Sequence, residues 1–198
     1  MRRFRHALLP AALVLAACTQ PAAQGNDWQL DGETSSVGFV SIKSGDIAEA
    51  HAFTSLEGSV LEDGTAELLI ALDSVETGID IRNERMREHF FQTGEYPQAR
   101  LTAQIDLAAL ESLEPGQRTT LPLQGTLELH GVGLAIETDV TVTDLNGERV
   151  LVETTQPVLL HANDFDLSGG LATLQELAGL PSITPVVPVT ASLVFERK

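Results

Sequence analysis

Few side chains in this chain have the types and spacing to do chemistry. Four histidines lie beyond the N-terminal segment, at His51, His89, His130 and His161, and no two stand at metal-ligand spacing. His161, Asp164 and Asp166 fall close together and form a candidate cation site, although Asp and Asn in such a run also form turns. No Gly-x-Ser-x-Gly and no phosphate loop occurs, so neither a nucleophile elbow nor a nucleotide cradle is expected. Arg82, Arg85 and Arg87 are the one local basic cluster. They are expected either to meet a polar ligand headgroup or to pair with Glu84 and Glu88 on a solvated helix. The single cysteine, Cys18, has no disulfide partner.

The N-terminal segment gives Cys18 a different use. Arg2, Arg3 and Arg5 precede an apolar run from Ala7 to Leu15 that is too short for a bilayer-spanning helix of ~20 residues. Leu15-Ala16-Ala17-Cys18 then resembles a bacterial lipobox, in which the cysteine sulfur carries diacylglycerol. Residues 1–18 are therefore expected to be a lipoprotein signal peptide, and residues 19–27 a small, polar tether. Three acyl chains exceed the two signals that stable anchoring needs. Thr19 after the cysteine, in place of Asp, points to the outer membrane and hence to a periplasm-facing lipoprotein of the bacterial envelope.

The remaining 28–198 reads as one domain. With 43% apolar residues overall, the sequence is not that of a disordered chain. The formal charge of −16 becomes more negative once the leader arginines are removed, which disfavours nucleic acid and anionic headgroups. Period-two alternation dominates. Leu101, Ala103, Ile105 and Leu107 alternate with Thr102, Gln104 and Asp106. Leu121, Leu123, Leu127 and Leu129 share a face, as do Leu134, Ile136, Thr138, Val140 and Val142. Glu62-Asp63-Gly64, His130-Gly131 and Asn146-Gly147 supply hairpin turns, and Val187 to Phe195 forms a closing strand. At least eight strands follow, all-β, as a barrel or a sandwich; alternation does not separate the two. Two stretches depart from it. Within the stretch from Ser74 to Pro97 the pattern turns to a short, charged, helix-like piece, capped by Asp80 or Asn83, with Met86 and Phe90 forming an apolar edge and Gly94 ending it. Leu171, Leu174, Leu177 and Ala178 form a second helical face. Each is expected to cover an edge or an end of the sheet.

The order Ser74-Val75-Glu76-Thr77, Arg82-Asn83-x-x-Met86, Phe90-Phe91, Tyr96-Pro97-Gln98-Ala99 resembles the signature of the YceI-like family. Trp28-Gln-Leu-Asp31 with Val37-Gly-Phe39 extends the resemblance to the domain start. The family implies an extended antiparallel, lipocalin-like β-barrel that holds a polyisoprenoid or similar lipid. This sequence departs from the family where Lys43 replaces a histidine late in the first strand. It departs again at Gly125–Val132 and Ala162–Leu167, as a divergent subgroup would. With a barrel, strand parity makes Phe39, Phe53, Leu68, Ile70, Leu101, Ile105, Leu127, Leu129, Ile136, Val140, Val189 and Leu193 the interior, ligand-facing candidates. Arg82 and Arg85 are the headgroup candidates. The expected activity is binding or carriage of an isoprenoid quinone, polyprenol or similar lipid, with no catalysis, metal or other cofactor. The alternative is a filled barrel whose acidic surface docks a partner.

Overall fold

A computed structural model describes residues 27–198. Residues 1–26, which hold the expected signal peptide and all but the last residue of the expected tether, lie outside the described residues. Twelve strands pair into one antiparallel sheet: β1 (Trp28–Leu30), β2 (Ser36–Lys43), β3 (Ile47–Phe53), β4 (Leu56–Val60), β5 (Thr65–Ala71), β6 (Val75–Glu76), β7 (Gln98–Gln104), β8 (Arg118–Leu129), β9 (Val132–Asp144), β10 (Arg149–Thr154), β11 (Val158–His161) and β12 (Val186–Arg197). Four pairs of these are single staves broken by a kink. β1 and β2 both line one edge of β12, while β10 and β11 both line the other. Likewise β3 and β4 run end to end beside β2 and β1, and β6 continues β5. The result is a closed, up-and-down, eight-stave barrel, so the barrel and not the sandwich is the outcome.

The kinks follow from local side chains. Asp31 accepts hydrogen bonds from the Glu33 amide (3.1 Å) and the Thr34 hydroxyl (2.7 Å), and Ser35 Oγ accepts from the Val194 amide (2.9 Å). This turn satisfies in the sidewall the backbone groups that the interrupted ladder leaves open. Gly32 is required there, since a Cβ would stand 2.8 Å from the Leu56 carbonyl oxygen. At the β3–β4 break Ser74 Oγ accepts from the amides of Thr54 and Ser55. The chain thus breaks between β3 and β4. Gly58 makes a close approach: it pairs in register with Leu68, and a Cβ would meet the Glu67 carbonyl oxygen at 2.8 Å.

The two ends of the barrel differ. One end carries the start of β1, the turns between β4 and β5 and between β9 and β10, and the segment 105–117 with a short helix, α2 (Ala108–Glu111). The other is capped by two helical pieces. Helix α1 (Asp80–Arg85) runs into a wide π turn (Met86–Phe90), in which the Phe91 amide bonds the Met86 carbonyl. Helix α3 (Ser168–Leu177) packs on that turn. The contact is close because Gly170 has no Cβ; one would lie 2.5 Å from the His89 carbonyl oxygen. Two expectations for α1 need correction. Its N-cap is Ile79, without a side-chain bond, so neither Asp80 nor Asn83 caps it. Asn83 is instead buried inside the helix, where its Oδ1 accepts from the amide and the hydroxyl of Thr77 (2.9 and 2.6 Å). The helical path also ends before Gly94, as Gln92 takes a positive φ of 51°.

Candidate functional site: an apolar cavity through the barrel

Period-two strands direct alternate side chains inward, and here those side chains are apolar without filling the barrel. A cavity of about 510 Å³ runs along its interior. Its width has a local cause. Ala66 of β5 opposes Ala103 of β7, which opposes Gly125 of β8, so three small residues stand in one row across the wall. Gly125 is small by necessity too, since a Cβ would lie 2.6 Å from the Thr102 carbonyl oxygen. Above and below that row the wall is leucine and isoleucine.

All the interior candidates read from strand parity stand on this wall: Phe39, Phe53, Leu68, Ile70, Leu101, Ile105, Leu127, Leu129, Ile136, Val140, Val189 and Leu193. Sequence reasoning left out Phe90, Phe91, Phe165 and Leu167, which also line it and come from irregular segments with no strand parity to assign them. At the helix-capped end an aromatic cluster closes the cavity. Phe39, Phe53, Phe91 and Phe90 stack in sequence, with centroid separations of 5.5, 5.7 and 4.8 Å. At the other end Trp28, the only tryptophan, stands on the wall beneath the Arg197 guanidinium, 4.7 Å from its ring centroid.

Behind the phenylalanines lies a polar cluster on the same inner face. Lys43 Nζ and Arg82 Nη1 both reach Glu49 Oε2, at 2.6 and 2.8 Å. The hydrogen bond from Lys43 and the charge of Arg82 hold the Glu49 carboxyl below its usual range, against the opposing effect of burial. His51 Nε2 lies 2.8 Å from Ser41 Oγ. Burial first, and then the Arg82 charge, push the His51 imidazole down, so it stays neutral near pH 7. Its Nδ1 is buried with no hydrogen-bond partner, so nothing orients this ring as the base of a serine nucleophile.

The arginine candidates do not reach the cavity. Arg82 also donates to the Thr77 carbonyl (2.6 Å), and Arg85 donates to the Leu177 carbonyl (3.1 Å). Neither lines the wall, and Arg82 pairs with Glu49, thirty-three residues away, where Glu84 or Glu88 was the sequence expectation. The reason is tertiary: α1 lies across the β3 end, and a half-buried guanidinium takes the carboxylate that is also sheltered. His161 lines the cavity, but among the described residues no three His, Cys, Asp or Glu side chains converge on a possible metal position. Asp166 ends the turn Ala162–Phe165 in a left-handed conformation, a turn-forming role.

The sequence matches the YceI-like domain over residues 28–195. The chain belongs to the YceI-like family. Among solved structures this YceI-like chain is similar to a polyisoprenoid-binding domain from Saccharophagus degradans implicated in plant cell wall breakdown. The two share 40% identity and a TM-score of 0.85, covering 86% of this chain and 98% of that one. The fold is also that of BcnA from Burkholderia cenocepacia, at 20% identity and a TM-score of 0.65, over 83% of this chain and 98% of that one. The YceI protein of Campylobacter jejuni matches at 16% identity and a TM-score of 0.54, over 75% and 84%. No curated protein shows significant sequence similarity to the chain.

Proposed function

We propose that the protein binds one apolar, chain-like lipid inside its barrel and acts as a carrier or holder of that lipid, without catalysing a reaction. The observation that carries this reading is the cavity itself: continuous, about 510 Å³, apolar along its length and closed at one end by four phenylalanines. A chain carbon takes about the space of a water molecule, roughly 30 Å³, so about seventeen carbons fit, or three to four isoprene units. Each buried CH₂ contributes ~0.8 kcal/mol, ample for micromolar binding after ordering costs. The 40% identical Saccharophagus domain, a polyisoprenoid binder, supports an isoprenoid ligand such as a quinone or polyprenol. The filled-barrel alternative requires an interior without space, which the Ala66–Ala103–Gly125 row argues against. The lipobox-like Leu15–Cys18 and the short tether support a site of action at the bacterial envelope, on the outer membrane.

Titration of the domain from Thr19 onward with a short-chain isoprenoid benzoquinone tests this. Trp28 is the sole indole and lines the cavity, so saturable, one-to-one quenching is the expected result. Absence of quenching and of any bound ligand by equilibrium dialysis would overturn it.

A further inference from the structure

The barrel wall is interrupted on both sides of the β8–β9 hairpin, and the two interruptions are sealed differently. β7 pairs with β8 only from Ala103–Gly125 to Arg100–Glu128. Beyond that, Arg118–Gln124 of β8 have β9 on one edge and, among the described residues, no strand on the other. Pro122, which has no amide hydrogen to donate, sits in this free stretch. On the far side, β9 pairs with β10 only over Val140–Asp144, leaving Val132–Asp139 facing β11 without a ladder. That second break is plugged by Ala162, Phe165 and Leu167, which are 5%, 2% and 3% exposed. The first is spanned by the segment 105–117, whose Leu107 and Leu110 remain only half-buried on the cavity wall. Asp106 within it, Gln104 before it and Pro122 on β8 are exposed while also lining the cavity, so the interior meets solvent there.

This gap opens at the end of the barrel where β1 begins. Cys18 stands ten residues ahead of Trp28, a separation of at most about 35 Å. The same end presents Leu61 and Leu145 on its two turns, each 43% exposed. The other end is closed by phenylalanines and helices, so a chain must enter tail first and leave its headgroup at the gap. Glu67 and Asp106 are the charged groups on the wall there, while Arg100 pairs with Glu67 and Arg118 begins the free stretch of β8, so the mouth carries both signs of charge.

We propose that the lipid passes between bilayer and cavity tail first through the gap between β7 and β8, at the end where β1 begins. This rests on the lipid-binding reading and adds the route and the polarity.

The test uses Trp28 quenching in stopped flow, with a short-chain isoprenoid benzoquinone delivered from phosphatidylcholine vesicles. Leu110→Phe with Leu121→Phe narrows the β7–β8 gap, and Val158→Phe narrows the β9–β11 break. The expected result is uptake and release both slowed about tenfold in the first variant, a joint slowing that loss of cavity volume alone would not give because it speeds release, and no such joint slowing in the second. Absence of joint slowing in the gap variant, or its appearance in the Val158→Phe variant, would each overturn the inference. Those outcomes require that the wild-type protein binds, so they are distinct from failure of the binding reading itself.

Discussion

Placing a phenyl ring at Ala103 separates a hollow barrel from a packed one. Ala103 faces the cavity between Ala66 and Gly125, where nothing larger than a methyl group occupies the row. Ala103→Phe adds six carbons to the interior. A ligand no longer than the cavity must give up about that many, and at ~0.8 kcal/mol per CH₂ the loss is at most about 5 kcal/mol. That corresponds to between three and four decades in Kd, at about 1.4 kcal/mol per decade. Repositioning of a flexible chain recovers part of it, so the expected weakening for a fifteen-carbon isoprenoid is at least about a hundredfold. The folded protein without ligand responds in the opposite direction. A ring entering empty space gains dispersion contacts and removes apolar surface from water, so unfolding stability in urea holds or rises. In a filled interior the same ring would force neighbours off their rotamers at a cost of about 1–3 kcal/mol. Trp28 quenching gives the affinity and urea unfolding followed by circular dichroism gives the stability. Unchanged affinity together with lost stability would refute the cavity as the ligand site.

Three further outcomes follow from the framework around the cavity. His51 is held neutral by burial and by Arg82, so its folded pKa lies below the unfolded value of 6.5; between the two the unfolded chain binds the extra proton, and stability present above about pH 6.5 falls as the pH drops through the folded pKa. His51→Gln is expected to flatten that part of a pH series of urea midpoints, beginning near pH 6.5 and so above the onset of the acid region where Asp31, Glu49, Asp63 and Glu76, all lowered, lose their contribution; an unchanged slope just below pH 6.5 would contradict the assignment. Asn83→Ala leaves the Thr77 amide and hydroxyl without their acceptor in a buried site, for an expected loss of about 1–3 kcal/mol in the same unfolding measurement, whereas a change below about 0.5 would contradict the role given to it. Gly170→Val must push α3 off the π turn, since its Cβ would collide with backbone at His89 and Phe90, so faster amide exchange across residues 168–177 is expected.

Strand parity made the cavity wall legible. A period of two leaves one choice of face per strand, and the hairpin turns at Gly64, Gly131 and Gly147 pin the register. Leu101 to Ile105 and Leu134 to Val142 needed no tertiary information. What parity does not carry is closure. The barrel forms because four staves kink, and two of the kinks depend on Ser35 and Ser74 bonding backbone far away in sequence. The aromatic floor escaped for a related reason: Phe90 and Phe91 are adjacent, so neither period predicts that both reach the interior, yet a π turn presents them together. Arg82 was misplaced because helix periodicity offers Glu84 and Glu88 nearby, whereas the fold brings Glu49 to it from the neighbouring strand. The break spanned by 105–117 and the short strand β11 have no sequence signal strong enough to compete with the alternation around them.

The central claim is that a chain-like lipid occupies the barrel. Native mass spectrometry of the domain from Thr19 onward, purified from bacterial cells, with organic extraction of the same sample, tests it most directly. The expected result is a one-to-one adduct that releases an isoprenoid or comparably apolar lipid on extraction and is lost in Ala103→Phe. A bare polypeptide mass that stays bare after incubation with isoprenoid quinones and polyprenols would contradict the account.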